Sequence, residues 1–451
     1  MQRDPDDLDA RLGETVPRYT SYPTAPHFHA AVTSRTVDGW LDAIPADDAL
    51  SLYMHVPFCD KLCWFCACHT KQTHRYEPVT AFLTLLRTEI VALGAKLAGR
   101  GRIKALHFGG GSPTMLRPDD LHMLADTLRA HLDMAGDAAI SVEIDPNDMT
   151  AEKLDAWAAI GVTRASLGIQ DFNPKVQKAI NREQSFELTR DVVQGLRGRG
   201  IDAINFDLLY GLPHQTEDSV GATVRQALTL APDRIALFGY AHVPWFKKHQ
   251  TMIDDAWLPD GRQRLAQSQL AARILVEGGY EAVGIDHFAK PGDSLAQAAR
   301  TGRLHRNFQG YTDDSLETLI GLGPSSVSRF REGYAQNHVP MPAYQRDVVA
   351  GQLPIAKGIA FTPEDRVRSW VIERLMCDFA FSTQSITQGF GKDAEDVCRE
   401  ADSLARAAPD MLVRNGDRFV IPPDSRMFAR SVAARFDAYR RTTKKAHSVA
   451  V

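Results

Sequence analysis

The stretch Ala49-Leu50-Ser51-Leu52-Tyr53-Met54-His55-Val56-Pro57-Phe58-Cys59-Asp60-Lys61-Leu62-Cys63-Trp64-Phe65-Cys66-Ala67-Cys68-His69 carries two signals in succession. Residues 49–56 form a strand-like apolar run, and Pro57 stops it. Four of the six cysteines then fall within ten positions, in the pattern C-x3-C-x2-C-x-C. Thiolates are soft ligands, and several together select an iron–sulfur cluster or zinc. A loop just past a strand end is where such a site stays open to a second molecule.

Working outward, the same strand-then-loop unit recurs. Strand patterns at 51–56, 105–108, 139–144, 164–169, 203–209, 234–240 and 280–285 alternate with helical patterns at 79–97, 119–132, 151–160, 186–199, 219–230 and 262–277. This alternation predicts an α/β fold with a parallel sheet of βα units, closing into a barrel or partial barrel. Polar or glycine-rich residues stand at the C-terminal end of nearly every strand: the cysteine loop, Gly109-Gly110-Gly111-Ser112, Glu143, Gln170, Asp207 and Ala241-His242. In βα barrels that end builds the active site.

With 451 residues, the chain has room for roughly two or three domains. The pattern divides it into an N-terminal arm (1–45), a βα barrel core (46–290), a barrel extension with substrate-side loops (291–357) and a mainly helical C-terminal domain (358–451). The arm contains Pro17-Arg18-Tyr19-Thr20-Ser21-Tyr22-Pro23-Thr24, which reads either as an extended segment laid over the protein or as a disordered leader. Thr362-Pro363-Glu364-Asp365 is a helix start, and residues 411–421 are expected to form a hairpin around Asn415-Gly416. Together with a last helix over 426–440 and a basic tail (Arg440, Arg441, Lys444, Lys445), the C-terminal part reads as winged-helix-like.

Composition narrows the function. Net charge is −4 and no cluster of phosphate-binding residues is marked, so a nucleic-acid partner is not expected. An anionic substrate would therefore need a local basic pocket. The acidic start Met1-Gln2-Arg3-Asp4-Pro5-Asp6-Asp7 lacks a signal-peptide pattern, and no run of about 18 apolar residues is present. With Cys377 and Cys398 scattered, the cysteines do not form a disulfide framework. A cytoplasmic protein without a membrane span is expected, a setting that suits a thiolate metal site rather than disulfides.

Three cysteines on one loop would leave one iron of a [4Fe–4S] cluster open to a chelating molecule. Zinc prefers two separated pairs; no second pair exists, although Cys68 and His69 could complete a set. The glycine run lacks the lysine of a phosphate loop and the spacing of a dinucleotide fingerprint. Following a strand, it permits close approach of a cofactor or is only a tight turn. Glu143 and Asp207 can accept from an ammonium or a ribose, and Arg182 can clamp a carboxylate; each could equally be a structural cap or ion pair.

Cys59-x3-Cys63-x2-Cys66, with Phe65 before the third cysteine, resembles the radical S-adenosylmethionine (SAM) signature, and Gly109-Gly110-Gly111-Ser112-Pro113 resembles the glycine-rich motif of that superfamily. The 17–24 segment, Cys68, Glu143-Ile144-Asp145-Pro146, Asn181-Arg182-Glu183-Gln184, Asp207-Leu208-Leu209-Tyr210-Gly211-Leu212-Pro213, Tyr240-Ala241-His242 and His305-Arg306-Asn307-Phe308-Gln309-Gly310-Tyr311-Thr312 narrow the likeness to the oxygen-independent coproporphyrinogen III oxidases. Ala67 and Ser112 depart from that pattern, where glycine and threonine are frequent.

The resemblance implies a partial (β/α)6-type radical SAM barrel and a [4Fe–4S] cluster on Cys59, Cys63 and Cys66, with Cys68 not a ligand. It implies two SAM molecules: one lined by Tyr53, Gly110, Glu143 and Val327, the other by Phe65, Gly111, Ser112, Gln170, Arg182, Asp207 and Ala241. A SAM-derived 5′-deoxyadenosyl radical would take hydrogen from two propionates of coproporphyrinogen III in turn, giving the two vinyl groups of protoporphyrinogen IX. The radical is carried by SAM, so no side chain is assigned a catalytic role. Arg18, Tyr22, Arg306 and Tyr311 are candidates to meet the substrate carboxylates. An electron donor for the cluster and an acceptor for the last electron are required but not identified, and a monomer is expected. The alternatives are a haem chaperone of the same superfamily and a zinc-stabilised regulator.

Overall fold

Strand β1 (Ala49–Val56) is buried along almost its whole length, with Leu50, Leu52, Met54 and Val56 wholly inside. A strand covered on both faces, one apolar and the other carrying Ser51, Tyr53 and His55, belongs in the middle of a sheet. In the computed structural model, which describes residues 5–441, β1 does lie there. It is followed by β2 (Arg102–Gly110), β3 (Met134–Ile144), β4 (Arg164–Gln170), β5 (Ala203–Tyr210) and β6 (Arg234–Gly239), each parallel to its predecessor. The connecting helices are α1 (Glu77–Leu97), α2 (Pro118–His131), α3 (Ala151–Ala159), α4 (Phe186–Arg197) and α5 (Glu217–Leu228), with α6 (Gly261–Glu277) after β6. Strands in strict sequence order, joined by crossovers of one hand, place all the helices on one face and curl the sheet. Phe82, Phe108, Trp157 and Phe206 fill the layer between sheet and helices.

Several starts are written in the sequence. Thr150, Ser185, Thr216 and Asp260 each accept a backbone N–H at the first turn of α3, α4, α5 and α6. By length and composition α1 is apolar enough to cross a membrane; here Val79, Phe82, Leu86, Ile90 and Leu93 of that helix are packed in the core.

The sheet does not end with the βα units. Residues 280–285 do not continue the parallel series. Instead β7 (Glu281–Val283) and β8 (His287–Ala289) form a hairpin that lies antiparallel on β6. On the other side β9 (Thr318–Leu322) runs parallel to β1, with Tyr53 opposite Gly321. It is followed by antiparallel β10 (Val327–Arg329), β11 (Gly333–Asn337) and β12 (Ile355–Ala360). The order is β12-β11-β10-β9-β1-β2-β3-β4-β5-β6-β8-β7, an open, partial barrel with two edges.

Two unexpected helices, Pro5–Leu12 and Ser34–Asp42, flank the Pro17–Thr24 segment. Between them the chain runs over the protein, burying Val16, Tyr19 and Tyr22 against Val371, Leu375 and Phe436 of the C-terminal region. The Tyr19 hydroxyl donates to Asp437 at 2.9 Å, and the Tyr22 hydroxyl accepts the Ala438 N–H at 3.1 Å.

In that region α7 (Pro363–Cys377) starts at the expected cap, Thr362 and Asp365 bonding reciprocally. An unexpected helix at Thr383–Phe390 precedes α8 (Ala394–Ala407). The hairpin forms, but Asn415 pairs with Arg418, so the two turn residues are Gly416 and Asp417 rather than Asn-Gly. Ala380–Ser382 completes a three-stranded sheet. The expected last helix over 426–440 is broken into 3-10 turns around one short helix, Ala429–Ala433. Lys444 and Lys445 of the basic tail, like Met1 to Asp4 of the acidic start, lie outside the described residues.

Candidate active site

The cysteine loop is pinned from three directions. From below, Phe58–Cys59 pairs with Lys71–Gln72, while the N–H groups of Gly111 and Ser112 donate to Val56 and Phe58 carbonyls at 2.7 Å. From one side, Trp64 N–H donates to Ile180 O at 3.0 Å and Asn181 Nδ2 to Leu62 O at 2.9 Å. From the other, residues after β6 reach over. Lys247 Nζ donates to Cys68 O at 2.9 Å, His249 Nε2 to Cys66 O at 2.7 Å and Gln250 Nε2 to Phe65 O at 2.9 Å. A loop whose carbonyls are this fully engaged presents its side chains in a fixed arrangement.

All six cysteines are free thiols. Cys59 shares a hydrogen bond with Thr70 Oγ1 at 3.0 Å, and burial pushes its thiol up to about 12. Burial also raises Cys63, against the nearby Arg182 guanidinium, 3.6 Å from its sulfur. Cys66 moves the other way, to about 7, because Cys68 donates to it. Three half-buried thiols on one rigid loop, beside the cations Arg182 and Lys247, fit a thiolate-bound cluster, since positive charge offsets what the thiolates bring. Cys59, Cys63 and Cys66 would hold it.

Beside the loop stand two carboxylates with opposite behaviour. Glu143, at the end of β3, accepts the Gly110 N–H at 3.1 Å and lies 3.2 Å from His107 Nε2. Burial works to raise its pKa, but the His107 contact and the Gly110 bond outweigh it and hold it below the ordinary value. Asp207, on β5, accepts from Ser166 and Asn205 at 3.0 Å; burial and then the charge of Glu143 push it up to about 6. Two neighbouring carboxylates on one barrel mouth favour a cationic guest.

Tyr53 stacks on His107, with ring centroids 5.8 Å apart, and its hydroxyl meets His55 Nδ1 at 3.1 Å. His55 Nε2 lies 2.8 Å from the His69 carbonyl, which can only accept. Burial lowers His55 to about 4, so the ring is neutral: Nε2 carries the proton and Nδ1 accepts from Tyr53. This chain ties β1 to the end of the cysteine loop.

The glycine run has a packing cause. A Cβ on Gly109 would stand 2.7 Å from Glu143 Oε1, on Gly110 2.7 Å from the His55 ring, and on Gly111 2.4 Å from Phe58 O. Gly110 also has φ +113°. These glycines let Glu143, His55 and the cysteine loop converge. Ser112 is turned away from the mouth: its hydroxyl bonds Asp148 and Thr114. Phe65 packs its ring with Val176, Ile180 and Leu212. What either offers a guest is backbone.

Arg182 lies between the cysteines and β4, donating to Asp145 at 2.8 Å and to Gly168 O at 2.6 Å. Its Nε is buried without a hydrogen-bond partner. Gln170 ends β4 at φ +67°, a strained conformation for a side-chain-bearing residue. The Ala241 carbonyl accepts from Gln250 at 3.2 Å. Val327 opens β10, whose neighbour β9 brings Gly321 opposite Tyr53. The structure thus gathers Cys59, Cys63, Cys66, Tyr53, Gly110, Glu143, Gln170, Arg182 and Asp207 along the C-terminal halves of the strands and the loops that follow them. It does not bring in the hydroxyls of Tyr22, bound to Ala438, or of Tyr311, which donates to Met376 O at 2.6 Å. Sequence reasoning missed His55, His107 and Gln250, and it gave Asp145, part of a motif, no role; lone polar residues within or after strands carry no marker until their partners are known.

Residues 53–227 match the family model described as the radical SAM superfamily. The fold and the thiol loop at its mouth therefore define a radical SAM enzyme, an oxidoreductase class that implies a [4Fe–4S] cluster and SAM. The chain is 47% identical over 444 residues to the oxygen-independent coproporphyrinogen III oxidase of Paracoccus denitrificans, covering 98% of this chain and 97% of that one. It is also 47% identical over 447 residues to the one from Bradyrhizobium diazoefficiens, covering 99% of each. The solved coproporphyrinogen III oxidase of Escherichia coli, described as a radical SAM enzyme, superposes with a TM-score of 0.89 at 36% identity, over 94% of this chain and all of that one. The chain belongs to the oxygen-independent coproporphyrinogen III oxidases.

Proposed function

We propose that this enzyme converts two propionate side chains of coproporphyrinogen III to vinyl groups, giving protoporphyrinogen IX, and that it does so with two SAM molecules in one barrel mouth. The observation that carries the reading is Glu143, at the end of β3 beside the cysteine loop, with Asp207 of β5 close enough to feel its charge. When bound, the cluster and SAM supply a 5′-deoxyadenosyl radical that removes hydrogen from the propionate.

The chain's own residues do the rest. Tyr53, Gly110, Glu143 and Val327 line the first SAM, Glu143 accepting from its ammonium. Gln170, Arg182, Asp207 and Ala241, with backbone from Phe65, Gly111 and Ser112, line the second. Arg182 offers its buried Nε–H to a carboxylate, and Asp207 accepts from an ammonium or ribose hydroxyl. Cys68 stays a free thiol. Free thiols throughout suit a reducing compartment, so the cytoplasm is the proposed location.

Anaerobic incubation of the cluster-loaded chain with coproporphyrinogen III, SAM and a reductant tests this. The expected product has lost two carboxyl groups as CO2 and carries two vinyls. Stable haem binding with no decarboxylation would instead identify a haem chaperone.

A further inference from the structure

A second cluster of charge lies where the N-terminal segment, the end of β6 and the C-terminal region meet. Arg18 donates through Nη2 to Gly239 O at 2.9 Å, the last residue of β6 and two before Ala241. Arg306, on the His305–Asn307 ribbon, reaches the Arg18 carbonyl at 3.4 Å. Arg430, on Ala429–Ala433, donates to Asp286 Oδ2 at 2.9 Å, while His287 Nδ1 holds the other carboxylate oxygen at 2.8 Å. Arg306 and Arg430 are each only 8% exposed. Arg306 lies 4.5 Å over the ring of Tyr311, whose hydroxyl is fixed to backbone.

Arg430 is bonded to Asp286, and the charge of that carboxylate also acts on Arg18 and Arg306. The other nearby acid, Glu373, is taken by His305, Arg374 and the backbone N–H of Arg306. Nε and Nη1 of Arg306 are buried without a hydrogen-bond partner. Burial, and next the charge of Arg430, push Arg18 down to about 10. Buried guanidinium N–H groups without an acceptor are costly to keep, and an anionic guest would supply the acceptor that these two of Arg306 lack.

We propose that Arg18, Arg306 and Arg430 form a binding site for the propionates that the reaction leaves in place on the tetrapyrrole. The assignment rests on the coproporphyrinogen reading above and adds Arg430, contributed by the C-terminal region, to the substrate site. A carboxylate that must depart as neutral CO2 is held back by ion pairing, because pairing stabilises the starting state more than the uncharged product. Fixed guanidinium forks suit carboxylates that stay. The link through Gly239 puts this anchor next to the cofactor mouth, so a tetrapyrrole gripped by its retained side can turn its reacting side toward Ala241.

The test is binding of porphyrins to the full chain, followed by their fluorescence. Coproporphyrin III, protoporphyrin IX and coproporphyrin tetramethyl ester are the probes. Both acids should bind at least tenfold more tightly than the ester. Arg430→Gln should weaken both acids at least tenfold and leave the ester unchanged, with Arg430→Lys recovering part of the loss. Equal binding of coproporphyrin III and its ester, measured on the unaltered chain, would overturn the proposal even if Arg430→Gln failed to fold. So would an Arg430 effect on coproporphyrin III that protoporphyrin IX does not share. The binding is measured without cluster or SAM. Loss of turnover in the loaded enzyme would thus count against the oxidase reading alone.

Discussion

Replacing Asp207 by asparagine should make the cofactor-free protein more stable and SAM binding weaker. Asp207 has its folded pKa raised from 3.8 to about 6, chiefly by burial and then by Glu143. A carboxyl raised on folding contributes stability that is complete below pH 3.8 and is lost as pH rises through about 6. The difference corresponds to about 3 kcal/mol at neutral pH. Asparagine keeps the Asn205 bond but sacrifices that from Ser166, which costs about 1 kcal/mol. The partly open mouth screens some of the rest. A net gain of about 1–2 kcal/mol remains above pH 7. Thermal unfolding of the cofactor-free variant should therefore occur higher than that of the parent at pH 8, by a few degrees or less, with the gap closing near pH 5. SAM affinity, measured by calorimetry on the cluster-loaded chain, should fall about tenfold, as expected for one charge-assisted bond of about 1.5 kcal/mol. A variant less stable at pH 8, or a gap that does not change with pH, would refute the claim that Asp207 is a strained carboxylate awaiting a cation.

Other expectations follow from single contacts. Cys68→Ala should retain about four irons per chain after anaerobic reconstitution, while Cys59→Ser, Cys63→Ser and Cys66→Ser each lose the cluster's visible absorption. Gly110→Ala meets the His55 ring at 2.7 Å at φ +113°; it should cost about 2–4 kcal/mol in thermal stability and abolish SAM binding. Glu89, fully enclosed on α1, accepts from Tyr344, Asn337 and the Gly323 N–H, which fixes the turn before Val327. Glu89→Leu strands these three donors and should destabilise by about 3 kcal/mol or more, measured as a lowered unfolding temperature.

The βα core was legible because each unit repeats a local pattern, apolar strand then amphipathic helix, and ends at a capped turn. The candidate site was legible where chemistry is concentrated: four cysteines in ten positions, and a carboxylate or glutamine at a strand end. The antiparallel extension was not. β9 finds its place beside β1 through pairing of Thr318 with Leu50, a contact 268 residues apart in the chain for which no local pattern exists. Residues 280–285 carry strand composition but no cue that the next partner is antiparallel. His55 and His107 look like ordinary strand residues until Tyr53, His69 and Glu143 are set around them. Arg430 lies in a small, largely apolar helix, and its meaning comes from Asp286, brought to it by the fold. The glycine run was readable as a close approach, but its main occupants are the protein's own Glu143, His55 and Phe58.

The central claim is that SAM held at this mouth delivers a radical to a propionate of the substrate. Coproporphyrinogen III deuterated at the β-carbons of its propionates, turned over anaerobically, tests it most directly by mass spectrometry of the 5′-deoxyadenosine released. The account predicts deuterium in the 5′-deoxyadenosine, accompanied by vinyl formation. Vinyl product accompanied by unlabelled 5′-deoxyadenosine would contradict it.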